Sequence, residues 1–262
     1  MKKTLIALAV AASAVVSGSA MAWTANGTGN SVELGGTLTP VAKATPWEVK
    51  TGNAVTDLDA QIQIGQQVVS VDVKKPIPVL GIRTASTNAF EGKVGISPQI
   101  NYQGVVDLDG AEYRNFDGLM PLNLKVYDDS GEIGTLTTKI LAGGAVSRLN
   151  SGDMYSVYPN NDSSTYAFNG GISTVEGSVA SFSSLRSRLN ALDPTITANF
   201  NEQGARDVSE WKAPDFTLAG EKYSGFYGSG IEQGQTIKIS LKVPAAKAIT
   251  WKASLPVTVS YM

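Results

Sequence analysis

Two acidic clusters, "DLDGAE" at 107–112 and "DDSGE" at 128–132, hold the densest groupings of side chains that could bind a metal or move a proton. A calcium site takes six to eight oxygens, and neither cluster has the loop spacing that supplies them. Glycine and aspartate at this density are ordinary turn chemistry, so both read as polar turns. "GSGIEQG" at 228–234 has the glycines of a phosphate loop but lacks the spacing, and a strand pattern follows it where a helix should open. It too reads as a turn. The 262 residues include no histidine and no cysteine. That removes the commonest general base, the commonest transition-metal ligand and every thiol. Any enzyme built here would have to work with carboxylates, Lys, Tyr or Ser–Lys pairs; of these a paired-carboxylate glycosidase is the hardest to exclude, and no local motif supports it. No catalytic residue, metal or cofactor is expected.

The elements that would position such groups are mostly strands. Alternating or β-branched runs occur at 68–73, 94–102, 122–127, 133–140, 235–243 and 254–262, separated by Gly, Asp and Asn turns. Ile237, Ile239, Leu241 and Val243 share one face of their run, as do Leu255, Val257, Val259 and Tyr261 of theirs. One segment breaks the pattern. In "VASFSSLRSRLNALDP" the residues Phe182, Leu185, Leu189 and Leu192 recur at helical spacing and Pro194 ends the run, which predicts an amphipathic helix of about three turns. It lies in a Ser-, Asn- and Gly-rich tract, about 146–225, that reads as an insertion into an all-β domain.

The first 22 residues have the features of a secretory signal: Lys2 and Lys3, an apolar run, and small residues at Ala20 and Ala22. The apolar run is shorter than the roughly 18 residues a membrane span needs. The expected product is exported, with 240 residues. Its 19 remaining basic residues (21 less Lys2 and Lys3) face 23 acidic ones, a net charge of about −4. The charges are scattered, so nucleic acid is not an expected partner. Without cysteines, stability rests on packing and hydrogen bonds.

Near the start of that product, "NSVELGGTLTP" places Val32, Leu34 and Leu38 on one face of a strand pattern, with Gly36 in the remaining place. From pattern alone, this segment and 254–262 would be the first and last strands of one sandwich.

Several stretches carry a more specific likeness. They are "MKKTLIALAVAASA", the start at Trp23, "SVELGGTLT", "WEVKTG", "GIEQGQTI", and Trp251 followed by "ASLPVTVSY". In these the chain resembles subunits of chaperone–usher fimbriae, above all the kappa class with its FaeG-type major subunit. The likeness is carried by the two ends, about a third of the chain, and the middle agrees in texture only.

The resemblance implies an incomplete immunoglobulin-like β-sandwich, the pilin fold, with an inserted subdomain holding the helix. It implies a signal peptide at 1–22, a donor-strand extension at 23–40 and a fimbrial domain at 41–262. Val32, Leu34, Gly36 and Leu38 would enter a neighbouring subunit's groove, a form of β-strand addition. Leu255, Val257, Val259 and Tyr261 would form the strand that docks on a periplasmic chaperone. The further implied partners are an outer-membrane usher, other fimbrial subunits and host glycans, with the product at the cell surface.

An immunoglobulin-type sandwich takes about 100 residues, so the surplus here is large. Receptor contacts in the insertion would draw on Tyr155, Tyr158, Tyr166, Phe168, Arg186, Arg188 and Trp211, whose plain alternative is core packing or a solvated helix face. A minor, non-adhesive subunit of the same assembly class is the alternative function, and a periplasmic carbohydrate-active protein a more distant one.

Overall fold

The computed structural model describes residues 25–26, 34–39, 44–158, 165–208 and 213–262. The chain divides into two units, 1–43 and 44–262. The second contains β1 (Trp47–Thr51), β2 (Val68–Asp72), β3 (Ile77–Thr84), β4 (Phe90–Glu91), β5 (Pro98–Asn101), β6 (Leu119–Asp128), β7 (Gly131–Arg148) and β8 (Asp153–Ser156). After these come α1 (Phe182–Leu192), β9 (Arg206–Asp207), β10 (Lys222–Ile231), β11 (Thr236–Leu241), β12 (Lys252–Ala253) and β13 (Thr258–Tyr261). The pairings between these strands are antiparallel except the short β8–β9 contact. The architecture is a mostly β fold with one helix, consistent with an immunoglobulin-like pilin fold bearing an inserted helical subdomain.

The 18-residue β7 organises the main sheet. Its first half pairs with β11 and its second half with β10, while β6 and β8 take the opposite edge. Strand order runs β1-β3-β10-β7-β11-β2, so β1 and β2 end this path. β12 attaches to β6, and β13 pairs with β5 in a separate two-stranded ladder.

Alternation along β7 and β10 divides the apolar residues between two cores. Ile140, Ala142, Val146, Tyr223, Tyr227 and Ile231 join the larger core. Leu141, Ala145 and Phe226 face the other way, against Phe182, Leu185, Leu189 and Leu192 of α1. The helix thus forms where its spacing predicts, with all four apolar residues buried.

Glycines make this packing close. Gly143 and Gly228 are register partners, and a Cβ on either would lie 2.7 Å from Leu185 Cδ1 or Leu189 Cδ2 respectively. At Gly230 a Cβ would lie 2.6 Å from the Ile77 carbonyl oxygen and 3.1 Å from Leu192 Cδ1. The turn expected at 228–234 therefore needs correction. Gly228–Ile231 complete β10, where glycine leaves room for helix leucines, and the reversal occupies only the residues between Ile231 and Thr236.

The expected strand at 94–102 is shorter, because Gly95 has φ +88° and pairing begins at Pro98. The run at 254–262 forms a strand only at Thr258–Tyr261, with no strand between Ala253 and Thr258. Both acidic clusters are turns. The Asp109 N–H donates to Asp107 Oδ1 at 3.1 Å, and the Ser130 N–H and hydroxyl donate to Asp128 Oδ1. Among the described residues no group of three or more acidic side chains is placed to hold a metal ion.

Candidate functional site: an apolar groove and two terminal segments

Between β2 and the residues flanking β12 runs a groove of about 1300 Å³. One wall is residues 51–62, which leave β1 and are not assigned to a strand after Thr51; the other is residues 245–257. Its floor includes Val71, Leu124, Leu136, Ile231, Ile237 and Ile239, all buried members of the larger core. These six come from β2, β6, β7, β10 and β11, so the groove exists only because the sheet is assembled. β2 pairs with β11 alone, leaving its other edge without a ladder partner among the described strands. Such an edge presents unpaired N–H and C=O groups, which favour pairing with a further strand.

The C-terminal residues alternate as the sequence predicts. Leu255, Val257, Val259 and Tyr261 are half-buried against the larger core, while Ser254, Thr258 and Ser260 are exposed. The four do not share one environment. Leu255 and Val257 line the groove, whereas Val259 and Tyr261 stand opposite Ile100 and Pro98 in the β13–β5 ladder. The Met262 N–H and C=O close this ladder against Ser97 at 3.1 and 3.0 Å.

In the first unit, Val32 lies outside the described residues. Leu34 and Leu38 are 93% and 98% exposed, and residues 34–39 are not assigned to a strand. A Cβ built at Gly36 meets nothing within 4 Å. The two described apolar side chains of this segment are therefore exposed.

The residues proposed for receptor contact are not brought together at one surface. Tyr155 and Phe168 are 1% and 0% exposed and belong to the core, which corrects their assignment as sugar platforms. Phe168 packs edge-on to Trp47 at 5.8 Å and stacks on Tyr227 at 5.4 Å, and burial pushes the Tyr155 phenol pKa up. Tyr158 is half-buried and donates to the Thr174 carbonyl at 3.0 Å. Tyr166 is also half-buried, its carbonyl accepting from Gln99 Nε2 at 2.8 Å. Trp211 lies outside the described residues.

The two arginines serve packing in this structure. Arg186 pairs with Glu202 and lies over the rings of Phe182 and Phe200. Arg188 makes a two-armed contact with Glu232 at 2.8 and 2.5 Å and also donates to the Asp117 carbonyl. It fastens α1 to the β10–β11 turn and to the loop before β6.

Comparison with known proteins places this geometry in context. The family of major and minor fimbrial subunits of K88 type matches residues 1–262. The F41 fimbrial protein of Escherichia coli is 28% identical over 287 aligned residues, covering all of both chains. The K88 fimbrial protein AB of Escherichia coli is 29% identical over 292 aligned residues, again with both chains fully covered. This full-length match assigns a structural fimbrial role and not an enzymatic one. The chain belongs to the K88-type family of fimbrial major and minor subunits.

Proposed function

We propose that this fimbrial subunit polymerises by donor-strand complementation and that the resulting fibre adheres to host glycans. The observation that carries the assembly reading is the apolar groove lined by the sheet's core side chains and by residues 245–257, to which the end strand β2 contributes Val69 and Val71. In this reading residues 1–22 are the signal peptide, 23–40 the donor extension and 41–262 the fimbrial domain with its insertion at about 146–225. Val32, Leu34 and Leu38 of one copy enter the groove of the next, with Gly36 at a place that takes only a small residue. From Val32 to Leu38 the extended chain spans about 20 Å at roughly 3.3 Å per residue.

Three buried aliphatic side chains contribute about 4.5–9 kcal/mol at roughly 1.5–3 each. Each ladder hydrogen bond adds about 1 kcal/mol net. Ordering the segment costs about 1–2 kcal/mol per residue, which offsets much of that gain. The joint therefore owes its durability to the barrier against unzipping.

Before assembly, the same apolar groove needs cover, which a periplasmic chaperone provides by pairing beside Leu255, Val257, Val259 and Tyr261. An outer-membrane usher then exchanges that strand for the next subunit's extension, and the fibre reaches the cell surface.

The test introduces Leu34→Glu with Leu38→Glu into the full chain, expressed with its chaperone and usher. Burying two carboxylates in an apolar groove carries a large desolvation cost. The expected outcome is a normal yield of chaperone-bound subunit and no surface fibres. Fibres at wild-type yield contradict the proposal.

A further inference from the structure

We propose that two apolar patches at opposite ends of the fimbrial domain meet head to tail in the fibre, the first on one subunit seated against the second on the next. The proposal rests on the donor-strand reading above and names the surfaces which that reading brings together. Among the described residues, Val94, Leu149, Leu218 and Met262 of the first patch are 44–75% exposed. Ile64, Val68 and Val243 of the second are 48–86% exposed. Single exposed apolar residues are ordinary, but grouped ones mark a contact surface.

The loop before β10 gathers the first patch. On one side the Lys93 N–H donates to the Phe216 carbonyl at 2.7 Å, and the Ser97 hydroxyl to the Asp215 carbonyl at 2.6 Å. On the other, the Leu149 N–H donates to the Lys222 carbonyl at 3.0 Å, and Asn150 Nδ2 to that of Gly220 at 2.9 Å. Met262 joins through its two backbone bonds with Ser97. The four residues therefore stand on neighbouring segments that are hydrogen-bonded to one another.

The second patch lies where β2 begins and β11 ends. Val68 stands opposite Ser240, and the Leu241 N–H donates to the Gln67 carbonyl at 2.7 Å. The Gly65 N–H donates to the Ala245 carbonyl, and the Ala245 N–H to that of Gln66, both at 2.9 Å. Ile64 also lines the groove, so this patch borders it. The strand β7 separates the two patches. Gly134 near its start pairs with Leu241, whereas Leu149 follows Arg148 at its end. From Gly134 to Arg148 the strand runs about 45 Å at roughly 3.3 Å per residue.

The course of the chain selects the occupant. β1 begins beside the first patch. The Trp47 indole N–H donates to the Ile96 carbonyl at 2.7 Å, and its ring packs on Phe90 and Phe216 at 5.0 and 5.3 Å. The N-terminal extension therefore meets the domain at that end. Leu38, seated in the next subunit's groove, precedes Trp47 by nine residues. That length of chain reaches about 30 Å at roughly 3.3 Å per residue. The first patch is thus held close to a groove that the second patch borders. Two unlike patches meeting this way make a heterologous contact, which repeats along an open fibre.

Patches of three and four side chains are too small to hold free subunits together. The covalent link changes this, because it makes the contact intramolecular, at an effective concentration of about millimolar order. The patches therefore meet within the fibre and not between free domains. Their contact restrains the angle between successive domains, so fibre stiffness reports on it.

The experiment uses the full chain expressed with its chaperone and usher, and measures fibre yield and the persistence length of purified fibres by electron microscopy. Val94→Glu with Leu218→Glu should leave the yields of chaperone-bound subunit and of fibres unchanged and at least halve the persistence length. Adding Val68→Lys and Val243→Lys to the same chain should restore it, because each acidic patch then meets a basic one. Wild-type stiffness in the acidic variant overturns this contact and leaves the donor-strand reading standing. Less chaperone-bound subunit with fibres of wild-type stiffness assigns the first patch to the chaperone and overturns it too. A softened fibre that the added lysines do not restore overturns the pairing of the two patches. If the acidic chain forms no fibres, Leu218→Cys with Val243→Cys decides the question. In fibres of mixed isotopically light and heavy subunits, a short bis-maleimide should join residue 218 of one subunit to residue 243 of another, and absence of that link overturns the contact. Leu34→Glu with Leu38→Glu is run alongside, and fibres from it at wild-type yield overturn the donor-strand reading itself.

Discussion

On one face of β7 and β10, Leu185, Leu189 and Leu192 descend onto Gly143, Gly228 and Gly230, and the chain covers its own apolar surface. On the other face the core leads to the groove, whose walls at 51–62 and 245–257 are not joined by any strand pairing among the described residues. The same sheet is therefore finished in two ways. The helix side is closed by local sequence, with glycine making room for leucine. The groove side has a buried floor, a wall at 51–62 that is exposed except at Gly52, Leu58 and Ile62, and an unpaired edge at β2. A layer that only had to be stable would be closed on both sides. Leaving one side open is what permits a strand to be added there.

That contrast predicts separable defects. Changes on the helix side should weaken the fold, whereas changes at the groove or the N-terminal segment should weaken assembly. The largest effect on the fold is expected from Gly230→Val, because its added carbons meet both the Ile77 carbonyl and Leu192. Overpacking of this kind costs about 1–3 kcal/mol. It should appear as an earlier urea midpoint of the chaperone-bound or fibre-assembled subunit, with the Leu34 and Leu38 positions untouched. An unchanged midpoint would mean that the glycine is not required for close packing.

A smaller and more specific effect concerns the hydroxyl cluster inside the larger core. The Tyr102 hydroxyl lies 2.9 Å from that of Tyr227 and 2.6 Å from Ser229 Oγ. Burial outweighs these hydrogen bonds and raises the Tyr102 pKa to about 12. An unfolded tyrosine releases its proton near pH 10. Between about pH 10 and 12 the unfolded chain therefore binds fewer protons than the folded one, so stability falls as pH rises. Stability measured by urea denaturation should decline across that window, and Tyr102→Phe should make the decline shallower. An identical slope in the variant would remove Tyr102 as a cause.

Much of this division can be read from residue order, and the unread parts share a physical reason. The helix was legible because Phe182, Leu185, Leu189 and Leu192 repeat at its period and Pro194 ends it. The cores of β2, β6 and β11 were legible because apolar residues alternate with polar ones there. β10 and the second half of β7 were not, because "GFYGSGI" and "AGGAV" carry turn residues. Their glycines answer to helix leucines 38 to 42 residues away in the chain, which local pattern does not reveal.

The same limit applies to the aromatics. Tyr155 and Phe168 have the residue type of a sugar platform, but the sheet encloses them. At the termini, alternation revealed apolar faces in both segments. It could not reveal that Leu255 and Val257 would border a groove while Val259 and Tyr261 joined β5.

The absence of native cysteine allows the central claim to be tested by disulfide trapping. Leu34→Cys is combined with Leu255→Cys or Val257→Cys, and fibres are assembled from a mixture of isotopically light and heavy subunits. A disulfide requires Cα atoms within about 7 Å, so it forms only where the N-terminal segment lies in a groove. The account predicts a ladder of covalent multimers, with light-to-heavy peptide pairs joining residue 34 of one subunit to the groove wall of another. Intact fibres whose disulfides join only residues of the same subunit, or whose thiols all remain free, would contradict it.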